Sequence, residues 1–174
     1  MEAIITDIQD RIKTQVAPIK YVDEDWGQLD YYTPNFPTKF PCVLIDITNI
    51  QWDNYGNKKQ IGVAQIQLKI ADLRLSNSSN SAPAGQKNKS NSFYTLTQII
   101  YQALQGWTND KTLYKALIRV SERRLQRDDG VKVVVMNFST EITDISAATA
   151  YATVSAPTVS FNTEMVPPNG SLSE

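Results

Sequence analysis

Nucleophiles, bases and metal ligands decide what chemistry a chain can do, and these 174 residues supply few of them. There is no histidine, and the one cysteine is Cys42. Without an imidazole, neither a Cys–His nor a Ser–His–Asp nucleophile can be assembled, and most zinc sites go with them. Val43, Leu44 and Ile45 follow Cys42, which marks it as a small buried apolar side chain. A lone cysteine also excludes an intrachain disulfide. The seven glycines are scattered singly, so no loop is built to cradle a phosphate. Asp23, Glu24 and Asp25, with Asp30, are the densest acids, but they meet no spacing rule for a cation site. Asp128 and Asp129 before Gly130 read as turn chemistry. The expectation is therefore a chain with no catalytic, cofactor or metal site, whose work lies in how its surface meets other surfaces.

The side chains suited to that work are cationic and aromatic. "ERRLQR" (122–127) is the one basic cluster. On a strand over 116–127, alternation places Arg119, Arg123 and Arg127 on one face and Arg124 on the other. Such a stripe either discourages edge pairing as a solvated face, or faces a neighbouring subunit or a DNA-containing lumen. Lys87 and Lys89 add charge in a polar stretch further up the chain. Trp26, Tyr31 and Tyr32 belong to an aromatic, proline-interrupted segment (19–40) that either pins itself to its own domain or serves an interface. The formal charge is −1, from 17 bases and 18 acids, which provides no global field for nucleic acid or lipid. The charges are unevenly spread. Residues 1–50 hold eight acids and four bases, whereas 51–110 hold three acids and six bases, a distribution compatible with faces of opposite sign.

Positioning these groups requires a scaffold that the periodicity outlines. Ile4, Ile8, Ile12 and Val16 recur every fourth residue, predicting an amphipathic helix over 2–16 that Pro18 terminates. A short strand fits 19–25. Val43, Ile45 and Ile47 alternate with Leu44, Asp46 and Thr48. "DNYGN" (53–57) supplies a turn, and Ala64, Ile66, Leu68 and Ile70 line one face of the return strand. Ile61 and Val63 have the opposite parity, which predicts a bulge near Gly62 or Ala64, or an end covered on both faces. Residues 75–92 read as a long polar insert, flexible when alone. Phe93, Leu96, Ile100, Ala103, Leu104 and Trp107 predict a second helix, capped by Ser92 and ending near Gly106. A second hairpin covers 116–144, turning at Asp128–Gly130. The expected fold is α+β: a mostly antiparallel sheet of two long β-hairpins with two α-helices packed on one face. It is expected to span 1–144, with 145–174 a C-terminal extension, part strand and frayed at its end. No apolar run approaches the ~20 residues of a membrane helix, and "MEAIITDIQDRIK" lacks a basic region before its apolar residues. A soluble chain without a secretory signal is expected.

In order and texture this sequence resembles the tail terminator (tail-completion) proteins of long-tailed bacteriophages and their relatives at the head–tail neck. The resemblance covers about residues 1–144. It is carried by the short first helix and the strand "FPCVLIDI" (40–47) after its aromatic lead. "QIGVAQIQLKIAD" (60–72), the insert, "FYTLTQIIYQALQGW" (93–107) and the closing "MNFSTEITD" (136–144) complete it. The long tail and the large insert depart from the pattern. They leave room for another neck, head-completion or baseplate adaptor protein on the same domain. The resemblance implies assembly and not catalysis: a ring, commonly hexameric, that caps the tail tube and meets the head connector. Its partners would be copies of itself, the tail tube protein and the connector or neck protein, with DNA passing the lumen without sequence specificity. It would be assembled in the host bacterial cytoplasm and reside in the virion. A monomeric module that captures a peptide on a strand edge is the reading from a different class.

Overall fold

The computed structural model describes residues 2–30, 39–73 and 78–148. The elements run α1 (Glu2–Gln15), β1 (Tyr21–Glu24), β2 (Cys42–Gly56), β3 (Lys59–Leu73), α2 (Ala84–Leu104), β4 (Ile118–Leu125) and β5 (Val131–Asp144). The five strands form one sheet in the order β1-β2-β3-β5-β4. The fold is α+β, as the periodicity implied, but the sheet is mixed. β1 pairs parallel to β2, from Tyr21↔Cys42 to Glu24↔Ile45. Parallel neighbours need a long crossover, and the segment between Asp25 and Pro41 provides it.

Both predicted hairpins form, and β3 and β5 join them as antiparallel neighbours along their whole lengths, from Gln60↔Asp144 to Leu73↔Val131. The β2–β3 turn falls later than "DNYGN" suggested. Gly56, Asn57 and Lys58 all have positive φ (81°, 53° and 59°), and the Asn54 carboxamide accepts the Gly56 N–H at 2.9 Å. The parity change also sits elsewhere. β3 is regular through Gly62 and Ala64, and the bulge is on β2, where the register slips between Ile47 and Asn49 and leaves Thr48 out.

One face of the sheet carries the main core. Val43, Ile45, Ile66, Leu68, Ile70, Val134, Met136 and Phe138 pack with Ile4, Ile8 and Ile12 of α1 and Phe93, Leu96, Ile100 and Leu104 of α2. Each such side chain, fully buried, contributes about 1.5–3 kcal/mol. The opposite face is covered at one end. There Cys42, Leu44, Ala71, Val131, Val133 and Val135 form a second cluster under Leu29, with Phe40 packed against it from the crossover.

The polar insert is the largest correction. Helix α2 begins at Ala84, so residues 84–92 are helical and Ser92 is not its cap. Pro83 precedes the first turn, where its fixed φ and missing N–H do no harm. The polar turns are then held by one buried group. Ser90 is sealed from solvent, and its hydroxyl accepts a hydrogen bond from Lys132 Nζ at 2.7 Å. Residues 74–77 and the extension beyond 148 lie outside the described residues, so the predicted strand in that extension does too.

Candidate interaction surface

Those of the residues proposed for an interface that the structure describes do not converge on one patch. β4 carries a bulge between Arg119 and Ser121. That extra residue reverses the parity, so Arg119 lies opposite Phe138, on the helix-bearing face, whereas Arg123 lies opposite Val135, on the other. Arg124, expected to stand apart, joins Arg119 on the helix side. The two guanidinium groups sit over aromatic rings of α2, Arg119 over Tyr101 at 3.7 Å and Arg124 over Tyr94 at 4.7 Å. Arg119 also donates to Glu122 at 2.8 Å. Stacking of this kind holds a cation on a partly apolar surface. Arg123 remains exposed.

Arg127 is structural. Its Nε and Nη2 grip the Asp129 carboxylate at 2.6–3.2 Å, Nη1 donates to Asp30 at 2.9 Å, and Nη2 donates to the Leu29 carbonyl at 2.6 Å. These partners push its pKa further up and hold that of Asp129 below the usual carboxylate range. Arg127 therefore staples the crossover to the β4–β5 turn, with Nε, Nη1 and Nη2 all engaged within the domain. Lys87 is likewise engaged, donating to the Asn80 carbonyl in the turn before α2. Lys89 is in α2, its side chain outside the described residues, and Tyr31 and Tyr32 lie outside them altogether.

Trp26 stands at the head of a tightly built loop, 54% exposed. Asp25, with 6% of its side chain exposed, accepts Lys69 at 2.6 Å, and its other oxygen takes the Gly27 N–H. Gln28 is fully buried, accepts the Trp26 N–H and donates to the Glu24 carbonyl. The two aspartates of "DED" are thus committed to internal bonds, Asp23 taking the Tyr21 hydroxyl, while Glu24 is exposed. Among the described residues no group of three or more ligand side chains is placed to hold a metal ion, and no helix is long and apolar enough to cross a membrane.

The surface that alternation alone did not reveal is the outer edge of β2. β1 covers it only as far as Ile45; beyond that, Asp46–Gly56 pair with β3 on the inner side and with no described strand on the outer side. This edge carries Asp46 and Asp53 and no base, with Trp52 and Tyr55 exposed (38% and 67%). At the far side of the sheet β4 is the other outer strand among the described residues. Its start is capped, the Gln105 amide oxygen taking the Arg119 N–H at 2.9 Å, and it carries three arginines against Glu122, with Ile118 and Val120 exposed. Between them runs a neutral face of amides and hydroxyls in cross-strand contact: Gln67 to Asn137 at 3.1 Å, Asn137 to Ser121 at 2.8 Å and Gln65 to Ser139 at 3.4 Å.

No protein-family model matches this chain, and no curated protein matches it. Among solved structures it is similar to a chain of the virion of a native gene transfer agent (GTA) particle. The identity is 8% and the TM-score 0.43, with 79% of this chain and 84% of that chain covered.

Proposed function

We propose that this chain is a structural virion protein of a tailed phage, a tail terminator whose ring caps the tail tube and joins it to the head connector. The observation that carries the reading is a sheet whose two outer edges, among the described residues, differ in charge, a long acidic stretch of β2 and a basic β4. Unpaired strand edges are templates for another chain, and edges of opposite sign select a partner of the other kind. The order of elements that underlies the resemblance to tail terminators supports it: a short helix, a long hairpin, a core helix, then a closing hairpin. Catalysis plays no part in this reading, and the partners are copies of the chain, the tail tube protein and the neck.

Negative-stain electron microscopy of the purified chain, alone and with isolated tail tubes, tests the reading. Annular particles, or caps seated on tube ends, are expected. A chain that stays monomeric in light scattering at every concentration and leaves tube ends bare would instead favour a strand-edge peptide binder.

A further inference from the structure

We propose that β4 of one copy lies antiparallel along the Asp46–Gly56 edge of β2 in the next copy, joining successive sheets into one. The inference rests on the self-assembling reading above and specifies its interface. Strand direction alternates through β2, β3, β5 and β4, because each of these neighbours is antiparallel. A second copy in the same orientation therefore brings its β2 antiparallel to β4, and its helices stay on the same side of the joined sheet. A parallel junction would need the next copy turned over, which carries its helices to the opposite face.

Charge selects this junction over the alternatives. Two β4 edges brought together oppose arginine clusters, and two β2 edges oppose Asp46 and Asp53. Only the unlike pairing is attractive in net charge, so the edges disfavour two-fold dimers and favour head-to-tail contact. The exposed apolar groups Ile118 and Val120 on β4, and Trp52 and Tyr55 on β2, gain cover in the same event. β1 ends at Glu24, opposite Ile45, and acts as a stop that sets how far an incoming strand can slide. A head-to-tail contact of this kind closes into a ring when the rotation per copy divides a full turn, and otherwise builds a filament.

Charge reversal tests the junction in the full chain. R123E/R124E leaves β4 with one arginine against three glutamates, and D46K/D53K replaces both acids of the β2 edge with bases. Each double variant should weaken self-association at least about tenfold by sedimentation in about 0.1 M salt. Mixing the two variants should restore association between unlike copies, and combining all four changes in one chain should restore self-association. That rescue separates lost pairing from lost folding, which circular dichroism checks in parallel. If the variants associate as the unmodified chain does, this junction is wrong, whether the edge is covered by residues 149–174 or unused, and the ring reading survives. If the unmodified chain never associates, alone or on tail tubes, both fall.

Discussion

Arg127 Nη2 lies 2.6 Å from the carbonyl oxygen of Leu29, so a side chain from the turn before β5 holds the backbone of the β1–β2 crossover. Leu29 is thereby pressed onto the second core cluster. Replacing Arg127 with Met removes the charge-assisted bonds and strands a buried carbonyl. A loss of about 2–3 kcal/mol in urea unfolding is expected. Arg127→Lys should recover only part of it, because an ammonium cannot reproduce the fork. Wild-type stability in the Met variant would show that the staple is idle.

Trp52 lies flat across Gly62 on the neighbouring strand, and a Cβ at position 62 would come within 2.7 Å of the Trp52 ring. Gly62→Ala must push the indole away from the sheet. Since Trp52 is partly exposed, the ring can yield, and the expected cost is about 1 kcal/mol. Trp52→Phe with Gly62→Ala should cost less than the two single changes summed, a coupling that a double-mutant cycle measures.

Hydrogen exchange distinguishes a docked helix from a floppy insert over 84–92. Amides of Lys87 to Ser92 should exchange slowly, because α2 begins at Ala84 and Ser90 is buried against Lys132. Lys132→Met should raise their exchange about tenfold, which corresponds to about 1.4 kcal/mol of local opening free energy. Rapid exchange throughout this segment in the unmodified chain would contradict the helical start.

Stability should fall above about pH 9. Burial is the main cause that raises Cys42 to about 12 from 9.0, and Tyr21 and Tyr114 to about 12 from 10.0. Asp72 adds to the Cys42 shift, whereas the shifts at Tyr21 and Tyr114 are reinforced by the hydroxyl bonds to Asp23 and Asp7. Each group keeps its proton in the fold where the unfolded chain has lost it. Its contribution is whole below the unfolded value and disappears as pH rises from 9–10 to 12. On the acid side, Asp129 is held low by Arg127, so its share is present above its ordinary value and lost as pH falls below about 4. Thermal melts from pH 3 to 12 should show a plateau between these limits. Tyr114→Phe should blunt the alkaline decline.

The main core was legible because its signals are local. Ile4, Ile8 and Ile12 repeat at helical spacing, Val43 and Ile45 alternate, and all are buried as that spacing requires. The charged stripe was not legible, because one unpaired residue at Val120 reverses every side chain beyond it, and nothing in "IRVSERRL" marks a bulge. Arg127 looked like an interface cation because two of its three partners, Leu29 and Asp30, are far away in sequence, and Asp129 read only as turn chemistry. The segment 84–92 looked disordered because its own residues bury little. These turns continue a helix whose Phe93–Leu104 part is anchored in the core, so they add hydrogen bonds without nucleating a helix of their own, an advantage that composition does not register. The free edge of β2 was hidden for a related reason: strand pairing is a property of neighbours, and only the parallel addition of β1 shows where cover stops.

Cys42 is fully enclosed, with Tyr21 beside it on β1 and Ala71 on β3. An alkylating reagent can reach its sulfur only when Leu29 and Phe40 lift from that face of the sheet or the whole domain opens. The native chain is thus silent to maleimides, and a surface position mutated to cysteine becomes a single addressable point for a dye or spin label. The dormant thiol meanwhile serves as a clock for that opening.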